Sequence, residues 1–369
     1  MRAPLFPLPL ALATSLSLVT GCVETDDDLE VTADESELAF SLPTKTFSRI
    51  RDLQLGEGVS CRLGSDGATA CVGALGGNAA PLQPTALGQA PDASGLSMQA
   101  ARAYVLKGSD GTAVSFNSTT GVGSATPGFS AGAQIASGND HTCAIQTDGD
   151  VHCWGVNLYR ELGREGGASG TATPVLGLPA DATDIGAGRT GTCVVSNGYA
   201  YCWGGGKLGD GATPTRMSWT TAKRVEVGGD FGCFLSASDR VLCWGANDHA
   251  QTGFYADTTD RGAHQVPNIG TVIDVDAGYR HACAVLTDKS VRCWGNNTYG
   301  QLGNGNIAAW QQAVSVALPG PARRVRAGHH TSCAILEDDR VFCWGKNDAG
   351  ELGLGWASTP VVAPALSLL

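Results

Sequence analysis

The sequence predicts an all-β protein: a seven-bladed β-propeller of four-stranded blades, closed by its C-terminal strand. The 369 residues include 51 glycines, and only 16 % are charged, a composition typical of β-structure with many tight turns. Twelve of the thirteen cysteines fall in regularly spaced pairs. A cysteine-bearing segment recurs at intervals of 40 or 50 residues, and four short strands in such a period make one propeller blade.

The N-terminal residues 1–21 are predicted to be a lipoprotein signal peptide. Arg2 supplies a positive charge, and the apolar stretch 5–19 is too short to span a bilayer comfortably. The stretch ends in Val-Thr-Gly-Cys at 19–22, which resembles the bacterial lipobox and implies lipidation of Cys22. The alternative is an ordinary signal peptide followed by a chance cysteine.

Residues 22–46 are predicted to form an acidic tether between this anchor and the propeller of residues 47–369. The tether is acidic and poor in aromatic residues, so it is expected to stay solvated and extended. Several acyl chains hold a protein stably on a membrane. Because Val23, and not Asp, follows Cys22, analogy with bacterial lipoproteins implies the outer membrane, facing the periplasm or the exterior.

The charge balance argues against nucleic acid as a partner. The formal net charge is −11 and the pI is about 5.0, whereas phosphate binding needs clustered Lys and Arg. A local basic strip, Arg323, Arg324 and Arg326, is interpreted as a solvated strand edge.

Twelve cysteines form six predicted cross-strand disulfides. The pairs are Cys61 with Cys71, Cys143 with Cys153, Cys193 with Cys202, Cys233 with Cys243, Cys283 with Cys293, and Cys333 with Cys343. Zinc sites favour two to four residues between paired cysteines, which none of these pairs has. A three-residue turn at 147–149 makes Cys143 face Cys153 at a non-hydrogen-bonded position, where Cα atoms lie about 4.5 Å apart.

The one short pair tests this geometry. Cys193 and Cys202 are nine residues apart, one fewer than the others, and they enclose Asn197-Gly198, a strong signal for a two-residue turn. The shorter turn absorbs the missing residue and leaves the two cysteines opposite each other. Six disulfides require an oxidising compartment, in agreement with export.

Each repeat contains a lead-in strand, the cysteine hairpin, a Trp-Gly pair, a segment N-x-x-G-x-L-G, a variable loop and a last strand. The tryptophan column is predicted to pack between blades; its members are Trp154, Trp203, Trp244, Trp294 and Trp344. A degenerate second copy, aligned on Asp110-Gly111, places Val105 and Ser115 at the cysteine positions. The strand near 359–362 ends the last copy and is predicted to close the ring beside the first.

These segments, such as HTCAIQTDGDVHCWGVNLYRELG at 141–163, resemble the repeat of the regulator of chromosome condensation family. The resemblance covers about residues 47–366 and implies a seven-bladed propeller. It also implies, by analogy, two alternatives for the function: a GTPase-regulating role like guanine-nucleotide exchange, or a secreted enzyme inhibitor. Fold alone does not assign either.

No catalytic, metal-binding or cofactor-binding constellation is recognised in the sequence, and the chain is not predicted to be an enzyme. His141 and His281 share one repeat column, whose other members vary, so they are interpreted as packing residues. The adjacent His329 and His330 are interpreted in the same way. No glycine-rich loop leads from a strand into a helix, so phosphate binding is unsupported.

The variable segments that follow N-x-x-G-x-L-G are the predicted binding surface, because equivalent positions of a propeller lie on one face. Their candidate anchors are Met217, Trp219, Phe254, Tyr255, Trp310 and Trp356. The alternative is that these side chains fold back onto the blade rims. The predicted function is a monomeric, extracytoplasmic module that binds an unidentified protein or glycan and contacts membrane only through its lipid.

Overall fold

The computed structural model describes residues 49–74, 85–86, 92–99, 102–116, 123–179, 181–209, 211–218, 220–257, 261–358 and 360–369. The signal peptide, Cys22, the tether and Trp219 lie outside these ranges. Within them the protein is all-β, with 28 strands in seven four-stranded antiparallel sheets. The predicted seven-bladed propeller is therefore confirmed. No helix of the length and apolar character of a membrane span occurs among the described residues.

Each blade consists of four consecutive strands. Blades 1 to 4 comprise β1 (Ile50–Leu55), β2 (Val59–Gly64), β3 (Thr69–Gly73), β4 (Thr85–Ala86); β5 (Ala93–Gln99), β6 (Arg102–Lys107), β7 (Ala113–Phe116), β8 (Gly123–Ala125); β9 (Gly132–Ser137), β10 (His141–Gln146), β11 (Val151–Gly155), β12 (Ser169–Pro174); β13 (Ala182–Ala187), β14 (Gly191–Ser196), β15 (Tyr199–Gly204) and β16 (Gly211–Arg216). Blades 5 to 7 comprise β17 (Ala222–Val227), β18 (Phe231–Ser236), β19 (Val241–Gly245), β20 (Arg261–Gln265); β21 (Val272–Ala277), β22 (His281–Leu286), β23 (Val291–Asn297), β24 (Ala308–Val316); β25 (Ala322–Ala327), β26 (Thr331–Leu336), β27 (Val341–Gly345) and β28 (Val361–Leu366).

The C-terminal strand β28 completes blade 7. It pairs with β27, with Cys343 opposite Ala365, and it makes no hydrogen-bonded pair with a strand of blade 1. The prediction that β28 closes the ring beside blade 1 is therefore wrong. The segment after β27 returns the chain to the hairpin of blade 7, and blades 7 and 1 contact each other through side chains. Leu369 beyond the strand is buried with Leu53 and Val72 of blade 1.

All six predicted disulfides are present. Each joins directly opposed residues of the two middle strands, with Cα atoms 4.0–4.1 Å apart. In blade 4, Ser196 pairs with Tyr199 across the two-residue turn, and Cys193 therefore faces Cys202 as predicted. The half-cystines are fully buried.

Blade 2, which lacks a disulfide, has a different register from the predicted one. Tyr104, and not Val105, lies opposite Ser115. The hairpin turn between Lys107 and Thr112 contains four residues, one more than in blade 3, and the extra residue shifts the pairing by one. Tyr104 therefore occupies the cysteine position and packs against Trp154 of blade 3, with ring centroids 6.1 Å apart.

The tryptophan column packs between blades as predicted, and its members are at most 4 % exposed. The indoles of Trp203, Trp294 and Trp344 each donate a hydrogen bond of 2.8–3.0 Å to a backbone carbonyl in the N-x-x-G-x-L-G segment of the preceding blade. The indole nitrogens of Trp154 and Trp244 have no such partner. Blades 3 and 5 keep the first asparagine and the last glycine of the segment, although Arg160, Ala250 and Thr252 depart from its pattern, and they still supply the carbonyls that Trp203 and Trp294 bind. Blade 4, which precedes Trp244, has the shorter Gly-Gly-Lys-Leu-Gly at 205–209 and supplies none.

The glycine after each tryptophan is required by its backbone conformation. Gly245, for example, has φ +98°, and a Cβ there would lie 2.7 Å from the Asp230 carbonyl oxygen. An L-residue rarely adopts this φ. The Trp-Gly pair thus ends the third strand at a fixed point and turns the chain into the N-x-x-G-x-L-G segment.

Candidate binding face

We name the strands of a blade A to D from the central channel outward. Because neighbouring strands are antiparallel, the A-to-B turns and the C-to-D connections lie at one end of the ring. We call this end the AB/CD face and the opposite end the BC/DA face. The described chain enters β1 at Arg49, on the BC/DA face, since Ile50 pairs with Gly64 beside the B-to-C hairpin.

Four of the predicted anchors lie on the AB/CD side of blades 5 to 7. Tyr255 is 69 % exposed, and its ring meets Trp310 of the next blade edge-on, with centroids 6.0 Å apart. Trp356 of blade 7 is 47 % exposed. Phe254 is half-buried and packs edge-on against His264 at 6.1 Å.

Met217 lies elsewhere. Its backbone N–H donates to the Ala200 carbonyl at 2.8 Å, beside the hairpin turn of blade 4 and therefore on the BC/DA face. The half-buried side chain packs against the apolar cluster between blades 4 and 5. The prediction that Met217 shares a face with the other anchors is wrong, because it follows the last strand of its blade. Trp219 lies outside the described residues.

A buried asparagine fixes the loops that carry Tyr255 and Trp356. Asn247 Nδ2 donates to the Tyr255 carbonyl at 2.7 Å, and Asn347 Nδ2 donates to the Trp356 carbonyl at 2.8 Å. The side-chain oxygen of Asn347 accepts a hydrogen bond from the Leu352 N–H at 3.0 Å. The first residue of N-x-x-G-x-L-G thus ties each variable loop to its blade, and such held aromatic side chains lose little entropy on binding.

A second set of side chains on this face forms a stacked row between blades 6 and 7. We define the imidazole row as Tyr279, His329, His330 and Tyr299. The centroid separations are 4.3 Å from Tyr279 to His329, 4.3 Å from His329 to His330, and 4.8 Å from His330 to Tyr299. All four side chains are half-buried, so part of each remains accessible to solvent.

Close backbone approach brings the row together. A Cβ on Gly278 would lie 2.3 Å from the Gly328 carbonyl oxygen, so the A-to-B turns of blades 6 and 7 touch at these glycines. The Tyr279 N–H donates to the same Gly328 carbonyl at 3.0 Å. This contact places Tyr279 over His329, the next residue of the neighbouring turn.

Two cations flank the row. Arg280 Nη1 lies 3.1 Å from His249 Nε2, and His249 Nδ1 lies 2.9 Å from an Asp248 carboxylate oxygen, so His249 Nε2 accepts the hydrogen bond from Arg280. Lys346 Nζ lies 5.8 Å from the Tyr299 ring and 3.6 Å from the exposed Asp348 carboxylate. Arg280 therefore contacts an imidazole where a buried guanidinium commonly contacts a carboxylate.

The cations and burial together disfavour charged imidazoles in the row. Burial, together with His329 and the positive charges of Lys346 and Arg280, lowers the pKa of His330 to about 4. Burial also lowers the pKa of His329, against the opposing effect of the Glu57 carboxylate. At neutral pH both rings are uncharged, so they stack with the tyrosines instead of repelling each other.

The sequence-based interpretation of His329 and His330 as packing residues missed this row. The available signal was positional: the two residues after the glycine that ends each A strand occupy adjacent A-to-B turns, and in blades 6 and 7 they are Tyr-Arg and His-His. His141 and His281 do pack as predicted. Their Nε2 atoms lie 2.8 Å from Thr192 Oγ1 and Ser332 Oγ of the next blade.

The central channel has a volume of about 600 Å³ and is lined by the A strands, with Tyr279 and His329 among its residues. The interpretation of Arg323, Arg324 and Arg326 as a solvated strand edge is wrong, because carboxylates contact all three side chains. The Arg326 side chain is 9 % exposed; it donates to Asp52 at 2.8 Å and lies 3.5 Å from Asp274. Alternation along β25 directs it into the channel network.

The other two arginines also contact acids. Arg323 pairs with Asp339 and donates to the Ile50 carbonyl of blade 1 at 2.8 Å, while Arg324 lies 3.7 Å from Asp52. Arg326 is thus one of several links between blades 7 and 1. Arg224 on the A strand of blade 5 forms ion pairs with Glu226 of the same strand and with Asp274 on the A strand of blade 6.

Carboxylates in the channel also accept hydrogen bonds from backbone N–H groups on the channel-facing edges of the A strands. Asp184, Asp274 and Asp276 accept hydrogen bonds of 2.7–2.9 Å from backbone N–H groups of the following blade. Burial raises the pKa of Asp184 and of Asp276 to about 6, and it raises that of Glu226. We call these carboxylates, together with the Asp52–Arg326 ion pair, the inter-blade clasp, because they join A strands of different blades. Within the described ranges, no three His, Cys, Asp or Glu residues are grouped as metal ligands.

Comparison with known proteins identifies the repeat. The model described as "Regulator of chromosome condensation (RCC1) repeat" matches residues 133–160, 222–251, 272–301 and 323–351, and a second model of that description matches 290–335. The E3 ubiquitin-protein ligase HERC2 of Homo sapiens is 30 % identical over 166 residues, which cover 40 % of this chain and 3 % of that protein. The chain thus spans a small part of this relative.

Two solved structures show the shared fold. Prp20p of Saccharomyces cerevisiae has a TM-score of 0.61 and 16 % identity, over 85 % of this chain and 76 % of that chain. The ectodomain of the receptor kinase ACR4 of Arabidopsis thaliana has a TM-score of 0.54 and 18 % identity, over 85 % of this chain and 98 % of that chain. Over the matched residues, the chain carries repeats of the regulator of chromosome condensation type.

Proposed function

We propose that this protein is a lipid-anchored, extracytoplasmic module that binds a partner protein through the AB/CD face of blades 5 to 7. The observation that carries the proposal is the concentration of aromatic side chains there: Tyr255, Trp310 and Trp356 on the outer part of the face and the imidazole row nearer the channel. Tyr, Trp and Arg are the residues most enriched at the energetic centres of protein interfaces.

The rigidity of these side chains supports recognition of a protein. The loop carbonyls of Tyr255 and Trp356 are fixed by buried asparagines, and the row is fixed by mutual stacking. A surface that is already ordered loses little conformational entropy when it binds a partner. Proteins of this fold provide a precedent for protein partners, since the Prp20p structure is described together with its binding to Gsp1p and histones.

The disulfides support the extracytoplasmic part of the proposal. Six buried bridges occur in one domain, and such bridges form and persist in oxidising compartments. The lipobox at Cys22 supports membrane attachment. The described chain enters the ring at Arg49 on the BC/DA face, which is opposite the AB/CD face.

The decisive variant replaces three aromatic residues of this face, the exposed Tyr255 and Trp356 and the half-buried Trp310, as Tyr255→Ala, Trp310→Ala and Trp356→Ala together. Immobilised wild-type protein is expected to retain one or more proteins from an envelope extract, and the triple variant is expected to lose them. The expected loss is at least about 100-fold in affinity, since each anchor of this type contributes roughly 2 kcal/mol. Quantitative mass spectrometry of the retained proteins measures it.

The matched control removes exposed apolar side chains from the other end of the ring. Leu176 is 75 % exposed and Leu366 is 55 % exposed, and both follow or end a D strand near the BC/DA face. The Leu176→Ala, Leu366→Ala variant should retain the same proteins as wild type. Equal retention by the triple variant, with unchanged melting, would contradict the assignment of the face. Retention of glycans alone would contradict a protein partner.

A further inference from the structure

We infer that the imidazole row and its two flanking cations dock an acidic segment, rich in Asp and Glu, of the partner protein. This inference rests on the proposed function and names the chemistry that the face recognises. It stands on three observations: a buried nitrogen of the row that lacks a hydrogen-bond partner, two cations without a buried carboxylate partner, and a row of rings that is longer than one carboxylate group.

One polar atom of the row lacks a protein partner. Among the described residues, His330 Nδ1 is buried without a hydrogen bond. Tyrosine hydroxyls and neutral imidazoles donate hydrogen bonds, and a carboxylate accepts several at once. A carboxylate over the row therefore satisfies a group that the fold leaves open.

The flanking charges favour the same ligand. Arg280 contacts the neutral ring of His249, and Lys346 has its ion-pair partner in the exposed Asp348. Both cations depress the pKa of His330, which places a positive potential at the row itself. The Glu57 carboxylate opposes their effect at His329. An incoming carboxylate adds charge-assisted hydrogen bonds to a site already shaped for a negative group.

The dimensions indicate a segment and not a single side chain. Ring separations of 4.3–4.8 Å run from Tyr279 through His329 and His330 to Tyr299. The row bends at His329, since the Tyr279 and His330 centroids are 6.2 Å apart, and Arg280 and Lys346 lie beside Tyr279 and Tyr299. Neighbouring same-side residues of an extended peptide are about 6.5–7 Å apart, so two acids of one strand-like segment can contact the row. The adjoining aromatics, Tyr255 with Trp310 and Trp356, remain available to the rest of the partner.

The probe is a fluorescein-labelled 12-residue peptide of alternating Glu and Gly. Its binding to the full-length protein is measured by fluorescence anisotropy. A Lys-Gly peptide of equal length is the charge control. The Glu-Gly peptide is expected to bind, more weakly as salt is raised, and the Lys-Gly peptide is expected not to bind. A phosphoserine-Gly peptide that binds while the Glu-Gly peptide fails would overturn the carboxylate assignment.

The test variant is Arg280→Gln, Lys346→Gln, and the matched control is Lys223→Gln, Lys289→Gln. The control also removes two cations, which pair with Asp239 and Glu337 near the BC/DA face. We expect the test variant to weaken binding by about tenfold or more and the control by less than about twofold. Arg280→Lys, Lys346→Arg keeps both charges and should retain most binding.

Equal binding by wild type and the Arg280→Gln, Lys346→Gln variant would overturn the inference, as would no binding of the acidic peptide. These results are distinguishable from failure of the proposed function. If the Tyr255, Trp310 and Trp356 triple variant still loses its protein partner while the acidic peptide binds nowhere, the face stands and only the acidic chemistry fails. Melting of each variant within about 2 °C of wild type shows that the fold is retained.

Discussion

Replacing Asp52 with alanine is expected to lower the free energy of unfolding by about 3–5 kcal/mol, the range measured when one partner of a buried ion pair is removed. Asp52 of blade 1 accepts hydrogen bonds from Arg326 of blade 7 at 2.8 and 3.2 Å. The Arg326 side chain is 9 % exposed, so without Asp52 its charge stays buried with only part of its compensation. Although burial opposes ionisation, the charge and hydrogen bonds of Arg326 keep the pKa of Asp52 below its usual value.

The effect is expected to be large because this contact joins the last blade to the first. No hydrogen-bonded strand crosses that junction, since β28 pairs within blade 7. Urea unfolding, followed by tryptophan fluorescence, measures the change. The control Asp140→Ala removes an exposed carboxylate and should shift the midpoint little. A double variant Asp52→Ala, Arg326→Met should recover part of the loss; an unchanged midpoint for Asp52→Ala would show that the clasp does not hold the ring.

Reduction of the six disulfides is expected to prevent refolding. Each bridge closes a loop of about eleven residues and contributes about 2–3 kcal/mol in the chain-entropy model. Even with incomplete additivity, six bridges approach the total stability of about 5–15 kcal/mol found for folded proteins. Protein unfolded in urea and reduced should therefore stay unfolded after dilution into reducing buffer.

The same dilution without reductant is the control, and it should restore the native near-ultraviolet circular dichroism. Because the half-cystines are fully buried, reductant added to folded protein should act only as the protein opens. Recovery of the native spectrum in reducing buffer would mean that inter-blade packing alone is sufficient. Dependence on the bridges would agree with a protein that folds after export.

The fold was predictable because short-range rules determine most of it. The spacing of Cys143 and Cys153, and the two-residue turn between Cys193 and Cys202, predict opposed cysteines, and the structure has them. The register of blade 2 was not predictable in this way. No cysteine pair fixes it, and its four-residue turn moves Tyr104 into the position assigned to Val105.

The candidate site was only partly predictable, because it depends on which turns meet in space. Tyr255 and Trp356 could be assigned to one face from their place in the repeat. Met217 could not, since a residue after the D strand returns to the opposite face. The stacking of Tyr279 on His329 depends on the approach of two glycine-bearing turns that are fifty positions apart.

The arginines near residue 325 illustrate the same limit. Their charge suggests a solvated edge when they are considered alone. The acids that bury and pair Arg326 come from β1 and β21, which are far away in the sequence. Only the closed ring brings a first-blade carboxylate into contact with a seventh-blade guanidinium.

Hydrogen–deuterium exchange of the propeller, free and bound to its captured partner, tests the binding face most directly. We expect slower exchange on binding in segments 254–257, 278–281, 296–310, 328–331 and 346–357, which contain the imidazole row and the aromatic loops of blades 5 to 7. The B-to-C hairpin turns at 287–290 and 337–340 should exchange at the same rate in both states. Protection confined to those hairpin turns, with the AB/CD segments unchanged, would contradict the account.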